Sequence, residues 1–305
     1  MSSVEAQLVF DERKYIHSST ALFNFMNRYE YLCQALRYKK LTPRYCEEDM
    51  SYLGVTGIEH IYVLQKCFCD IPLHELTMKF HIDVDGDSEK INPDINKVID
   101  DCRTHPGLYG KYGIAFSKEW AMDNNIQPVM YINDKSFYAK HFRETIQYLR
   151  AQNDVDDILV DELLQKMAYI KPIEGKMKRK FGVHSIEFKK NFHDEREWRF
   201  VPQDEILEEK KIPPVCFARP SFSILYGEIN RELEKEDFLK VALNFDYEDV
   251  RYLIVPDNNQ RKMMIEYILG LPEDNFKSVD INDKYKEKCA LISKILVLDE
   301  IKEDW

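Results

Sequence analysis

The 305-residue chain has no run near the roughly 20 consecutive apolar residues that a membrane-spanning helix needs. Residues 1–14 do not show the basic-then-apolar pattern of a secretory signal, so the expectation is a soluble protein of the cytoplasm. The seven cysteines are odd in number and lack framework spacing, which points to reduced thiols rather than disulfides. There is no G-x-G-x-x-G fingerprint and no Walker phosphate loop, so the common glycine-rich nucleotide cradles are excluded. No internal repeat or low-complexity block is present. Positive charge is not in surplus either: the net charge is −11. A protein that holds nucleic acid by bulk electrostatics is normally basic, so nucleic acid stays open only as a substrate.

What is present is core-forming material. The chain is 44% hydrophobic and 12% aromatic, ample for one large domain. Residues 21–26 form an apolar run of strand length, and Asn27 is placed to cap a helix through residue 36. Pro43 ends that helix and opens an extended Leu-Thr-Pro-Arg-Tyr arm. Residues 61–69 read as a buried strand, with Asp70 as cap of a short helix near Pro72. A helix is expected over residues 93–102, with His105-Pro106-Gly107 as its break. Gly110 and Gly113 hinge the entry to a strand, and Ser117 caps the next helix. Strand 128–132, helices 136–151 and 155–167, and strands flanking a basic hairpin arm follow. Residues 250–298 form one more strand-helix-strand unit. The pattern predicts an α+β (mixed α/β) fold: an extension over residues 1–20, then one domain over 21–305 around a mixed sheet, with its core in 21–201.

The most informative stretch is His193 to Val201. Read as a strand, it alternates, so Glu195, Glu197 and Arg199 share one face while Trp198 and Phe200 share the other. The aromatic face suits a core. The charged face is either a solvated edge or the wall of a pocket, and paired carboxylates beside a guanidinium are the parts that sugar or phosphate chemistry uses.

Other groups carry weaker signals. Cys67-x-Cys69 has His60 and His74 nearby, but one intervening residue in a strand does not form a chelating turn, so no metal site is expected. Cys69 would need a histidine partner to act as a nucleophile. Tyr109 and Tyr112 flank a glycine turn and can stack on a base or nicotinamide ring. Lys176, Lys178, Arg179, Lys180, Lys189 and Lys190 read as a solvated hairpin arm. Asp83, Asp85 and Asp87 form the densest acidic group, the material of a metal nuclease or of a polar insertion.

Five motifs occur in one order: residues 41–49 (Leu-Thr-Pro-Arg-Tyr-Cys-Glu-Glu-Asp), 67–73 (Cys-Phe-Cys-Asp-Ile-Pro-Leu), 109–114 (Tyr-Gly-Lys-Tyr-Gly-Ile), 128–131 (Pro-Val-Met-Tyr) and 195–199 (Glu-Arg-Glu-Trp-Arg). This series resembles the AbiGi family of bacterial abortive phage-infection proteins. That resemblance implies a bacterial anti-phage role, an antitoxin character and a cognate toxin or phage component as partner. The layout is also similar to ADP-ribosyltransferases, which open with a strand, a helix and an extended arm, and later place a catalytic Glu on a strand. What this second resemblance implies is NAD as co-substrate, Glu197 and Glu195 as catalytic carboxylates, and Arg44, Tyr45, Cys69, Asp70, Tyr109, Tyr112 and Arg199 as substrate-binding residues. Asn24 stands where such enzymes carry a basic or imidazole side chain, and their Ser-Thr-Ser strand motif is missing. Cleavage of the nicotinamide-ribose bond passes through an oxocarbenium-like state that a carboxylate stabilises. Two alternatives stand beside it: a salt-bridge network with no catalysis, and a non-enzymatic antitoxin that docks a partner, for which the acidic tail 299–304 is a candidate surface.

Overall fold

The computed structural model describes residues 19–84, 93–152, 157–181, 184–203, 205–218, 220–235 and 241–304. The expected N-terminal extension therefore lies outside the described residues except for Ser19 and Thr20, as do Asp85, Asp87, Val155 and Trp305. The strands are β1 (Ala21–Met26), β2 (Lys40–Leu41), β3 (Arg44–Asp49), β4 (His60–Cys69), β5 (Ile82–Val84), β6 (Tyr112–Ser117), β7 (Gln127–Pro128), β8 (Met130–Ile132), β9 (Ile170–Pro172), β10 (Glu174–Phe181), β11 (His184–Asn191), β12 (Glu197–Phe200), β13 (Val215–Phe217), β14 (Leu243–Asn244), β15 (Val250–Val255) and β16 (Ile295–Val297). The helices are α1 (Tyr29–Tyr38), α2 (Pro93–Asp101), α3 (His105–Tyr109), α4 (Lys118–Asp123), α5 (Phe137–Ala151), α6 (Asp157–Ala168), α7 (Glu205–Glu209), α8 (Pro220–Glu232), α9 (Asn258–Leu269), α10 (Ile281–Ile292) and α11 (Leu298–Asp304). The mixed α+β class is the expected one.

The main sheet runs β16-β15-β6-β1-β4-β12-β7. Only β15 and β16 run parallel within it, as a strand-helix-strand crossover requires. β1 is apolar on both faces because it is central. It pairs along its whole length with β6, and its residues are almost all buried. One core packs α1, α9 and α10 over the β6–β15 face, around Leu36, Phe116 and Leu253. A second packs α5 and α6 against the first half of β4, around Val63, Ile146 and Met167.

β4 is ten residues long and changes partners halfway. Its first half lies between β3 and β13, with Arg44 opposite Gln65 and Val215 opposite Val63. Its second half lies against β12, with Cys69 opposite Glu197 and Cys67 opposite Arg199. On the other side β1 pairs with β4 in backbone register at Phe23 and Cys69 alone. β3 and β1 thus diverge from β4 like the arms of a fork. The Asn24 side-chain amide donates to the Cys67 carbonyl at 2.8 Å and closes the backbone gap that the fork leaves.

Several local expectations change. Arg28, not Asn27, precedes α1, and no side chain caps it. The extended arm is a true strand, β3. The helix expected over 93–102 does end before His105-Pro106-Gly107, at Asp101, but the tripeptide itself starts α3, because Thr104 Oγ1 accepts from Gly107 N and proline is tolerated in a first turn. Asp70 caps nothing near Pro72; it accepts from Ser19 N and pairs with Lys118 at 2.6 Å. Strand 292–298 shortens to β16 because α10 occupies Ile281–Ile292. No helix among the described residues is long and apolar enough to cross a membrane.

Candidate functional site

The fork opens a cleft of about 840 Å³, within the usual size of small-molecule sites. Its lining includes Asn24 from β1, Arg44, Cys46 and Glu48 from β3, and Gln65, Lys66, Cys67 and Cys69 from β4. Lys171 of β9, the hairpin residues Lys176 to Arg179 and both Glu195 and Glu197 complete it.

Glu195 does not reach the cleft on a strand. Phe192–Glu195 is a single helical turn, and Arg196 follows at φ 43°, in the left-handed region. The strand begins only at Glu197. The expected sharing of one face by three charged residues holds for Glu197 and Arg199, while the turn brings Glu195 beside them. The alternation also has an unexpected sense. Glu195, Glu197 and Arg199 are 2%, 5% and 0% exposed, whereas Trp198 and Phe200 are only half-buried. The charged face is the inner one.

Buried charges need partners, and here they form a chain of them. Lys190 Nζ lies 2.9 Å from Glu195 Oε1, and Lys171 Nζ lies 2.7 Å from Glu195 Oε2. The same Lys171 is 2.9 Å from Glu197 Oε2. Arg199 Nε is 2.7 Å from Glu197 Oε1, and its Nη2 is 2.9 Å from Glu48 Oε2. Arg199 Nη1 donates to the Ala168 carbonyl at 2.7 Å, and Gln65 Nε2 donates to Glu48 Oε1 at 2.6 Å. The Tyr109 hydroxyl donates to Glu195 Oε1. Three carboxylates face three cations, so the cluster is neutral as a whole.

The electrostatics follow from this pairing. Burial alone would push the Glu197 carboxyl up, but Arg199 and Lys171 outweigh it and hold it well below the usual carboxylate range. Burial acts likewise on Glu195, where Lys171 and Lys190 win. Burial pulls Lys171 down, yet Glu195 and Glu197 raise it well above an ordinary lysine. The cleft thiols are moved away from reactivity: burial pushes Cys46 up to about 11 and raises Cys67 and Cys69 further.

These shifts predict a pH profile. Glu195 and Glu197 titrate below their unfolded value of about 4.3, so their stabilisation is complete above it and is lost as pH falls through the lowered folded values. Lys171 titrates above its unfolded value of about 10.4, so its contribution is complete below that and is lost only in stronger alkali. The melting temperature, followed by circular dichroism, is therefore expected to be flat in its network contribution from about pH 5 to 10 and to fall below about pH 4. Glu197→Gln should lower the plateau and flatten the acid limb; an unchanged acid limb would refute the assignment.

Of the residues expected in the site, Arg44, Cys69, Tyr109, Glu195 and Glu197 line the cleft. Arg199 lies beneath it, completely buried. Tyr45 turns into a separate core and donates its hydroxyl to the Pro213 carbonyl. Asp70 is tied to Lys118, and Tyr112 packs against Tyr29 and reaches Gln260 at 3.2 Å. These last three stand away from the cleft. Sequence reasoning missed Lys171, Glu48, Gln65 and Lys66, which come from other strands at no fixed spacing. Lys190, expected on a solvated arm, instead has its side chain buried over Phe80, which only the hairpin packing decides. Among the described residues no group of three His, Cys, Asp or Glu side chains is arranged to hold a metal. Asp83 pairs with His81 at 2.6 Å.

The family model described as "Putative abortive phage resistance protein AbiGi, antitoxin" matches residues 94–256, a span that contains β6, the basic hairpin and the Glu195–Arg199 segment. The abortive phage resistance protein AbiGi of Lactococcus lactis subsp. cremoris is 33% identical over 278 residues, covering 86% of this chain and 98% of that protein. No solved structure matches the chain significantly. With a relative of this identity aligned over nearly its full length, the chain belongs to the AbiGi family of abortive phage resistance proteins.

Proposed function

We propose that this chain serves abortive phage resistance as a binding protein, an antitoxin that restrains a cognate toxin, and that its fork cleft is a recognition site rather than a transferase centre. The observation that carries this reading is the occupation of both carboxylates. Each oxygen of Glu195 and Glu197 already has a cationic or phenolic partner within the protein. Transfer of ADP-ribose from NAD needs a carboxylate whose negative charge faces the ribosyl cation, and a base for the acceptor. Here Arg199 and Lys171 neutralise Glu197, and Lys171 and Lys190 neutralise Glu195. A neutral, internally bonded floor positions side chains; it does not stabilise a passing cation. The word antitoxin in the family's description supports the choice of partner.

The test uses the full chain with its proposed cognate toxin. Co-expression is expected to yield a complex on size exclusion and to relieve growth arrest caused by the toxin. Incubated with labelled NAD and cell extract, the protein is expected neither to transfer label nor to release nicotinamide. Release that disappears in Glu197→Gln would overturn the binding reading and restore the transferase.

A further inference from the structure

The cleft has a second lobe. A cavity of about 810 Å³ lies on the α1 side of the fork, lined by Phe25, Tyr31 and Tyr38 together with Asn27, Gln34 and Thr42. Four aromatic residues, Phe25, Tyr31, Tyr38 and Tyr109, line it, and Lys40 and Glu234 add charge to its wall; the first lobe holds the ion-pair network. Phe25, Arg44, Lys66 and Tyr109 line both cavities, so they form the waist between them.

Lys66 is the odd residue of this waist. It is half-buried, yet its ammonium makes no ion pair or hydrogen bond among the described residues, while the neighbouring Lys171 and Lys190 are each held by carboxylates. Arg44 beside it has one loose partner, Glu234 at 3.5 Å, and both side chains are about half exposed. Two buried carbonyl oxygens of the first lobe also lack partners. Asn24 and Gln65 are 5% and 3% exposed, and their amide nitrogens are committed to Cys67 O and Glu48 Oε1. That leaves Asn24 Oδ1 and Gln65 Oε1 without a donor. A buried acceptor left so carries an uncompensated desolvation cost.

Resting on the reading of the cleft as a recognition site, we infer that it binds a nucleoside phosphate. The phosphate sits at the waist on Lys66 and Arg44, and the base lies against the tyrosines of the aromatic lobe. Arg supplies a planar donor fork for phosphate oxygens, Lys a point charge, and tyrosine rings a stacking surface. Burial supports this placement: it pulls Lys66 down to about 8, so an arriving phosphate would recharge it. The groups that face Lys66 are Cys46 and Arg44 on β3, Cys67 on β4 and Glu234 beyond α8.

Isothermal titration with AMP, ADP, adenosine and inorganic phosphate tests the inference on the full chain. AMP and ADP are expected to bind, and Lys66→Met to weaken them at least tenfold while adenosine is affected less than twofold. Lys66→Met should keep or raise the melting temperature, since it replaces an unpaired half-buried cation, so lost binding cannot be put down to misfolding. At pH 8 nucleotide binding should take up protons, read from titrations in buffers of different ionisation enthalpy, and this uptake should vanish in Lys66→Met. Equal binding of AMP by wild type and Lys66→Met, or no binding of any nucleotide at millimolar concentration, would overturn the inference. Release of nicotinamide from NAD would instead strike the non-catalytic reading, and the Lys66 comparison would still decide the waist.

Discussion

Replacement of Arg199 by methionine is expected to destabilise the fold by about 3–5 kcal/mol, the usual cost of removing one partner from a buried ion pair. Arg199 is wholly buried between Glu197 and Glu48 and also holds the carbonyl that ends α6. Without it, two carboxylates share a cavity with only Lys171 in reach of one of them. Urea denaturation followed by tryptophan fluorescence measures the loss. The double variant Arg199→Met with Glu197→Gln should recover part of it, because it removes a stranded charge together with its partner. If the single variant loses less than about 1 kcal/mol, the network is not the fully buried cluster described above.

Gly110→Ala is expected to be comparably damaging, at about 3 kcal/mol or more, for a different reason. Gly110 has φ 128° and ψ 147°, a conformation that glycine adopts and L-residues avoid. A Cβ there would stand 2.1 Å from the Met26 carbonyl oxygen and 2.7 Å from the Asn27 nitrogen, both backbone atoms that cannot swing aside. The neighbour in sequence is Tyr109, whose ring lines both lobes and whose hydroxyl holds Glu195. Alanine therefore forces apart the end of β1 and the start of β6 where the site is built. The expected readout is a lower soluble yield and a melting temperature several degrees down. A melting temperature within one degree of wild type would show that the turn can relax.

The outline of the fold was legible in particular residues. β1, β4, β6 and β15 are apolar runs of strand length, and central strands must read this way because both faces are covered. Ser117 and Ser136 stand before helices and accept from the backbone nitrogens of Trp120 and Ala139, as hydroxyl caps do. The short strands and helices between residues 205 and 245 carry no such periodicity. Their structure is set by the edges they cover, such as β13 along β4 and β14 along β2.

The site divides in the same way. By itself, the order of residues 195–199 determined that Glu197 and Arg199 share a face, since a strand repeats every two residues. Only the tertiary structure decided that the shared face is the buried one, that Lys171 and Lys190 neutralise it, and that Asn24 and Lys66 stand at the split of the sheet. The physical reason is that ion pairing depends on distances of a few ångströms between strands far apart in the chain. Burial inverts or restores a pKa according to which charges those strands bring. A local pattern fixes the direction of a side chain; what waits on that side is set by the packing of every other strand.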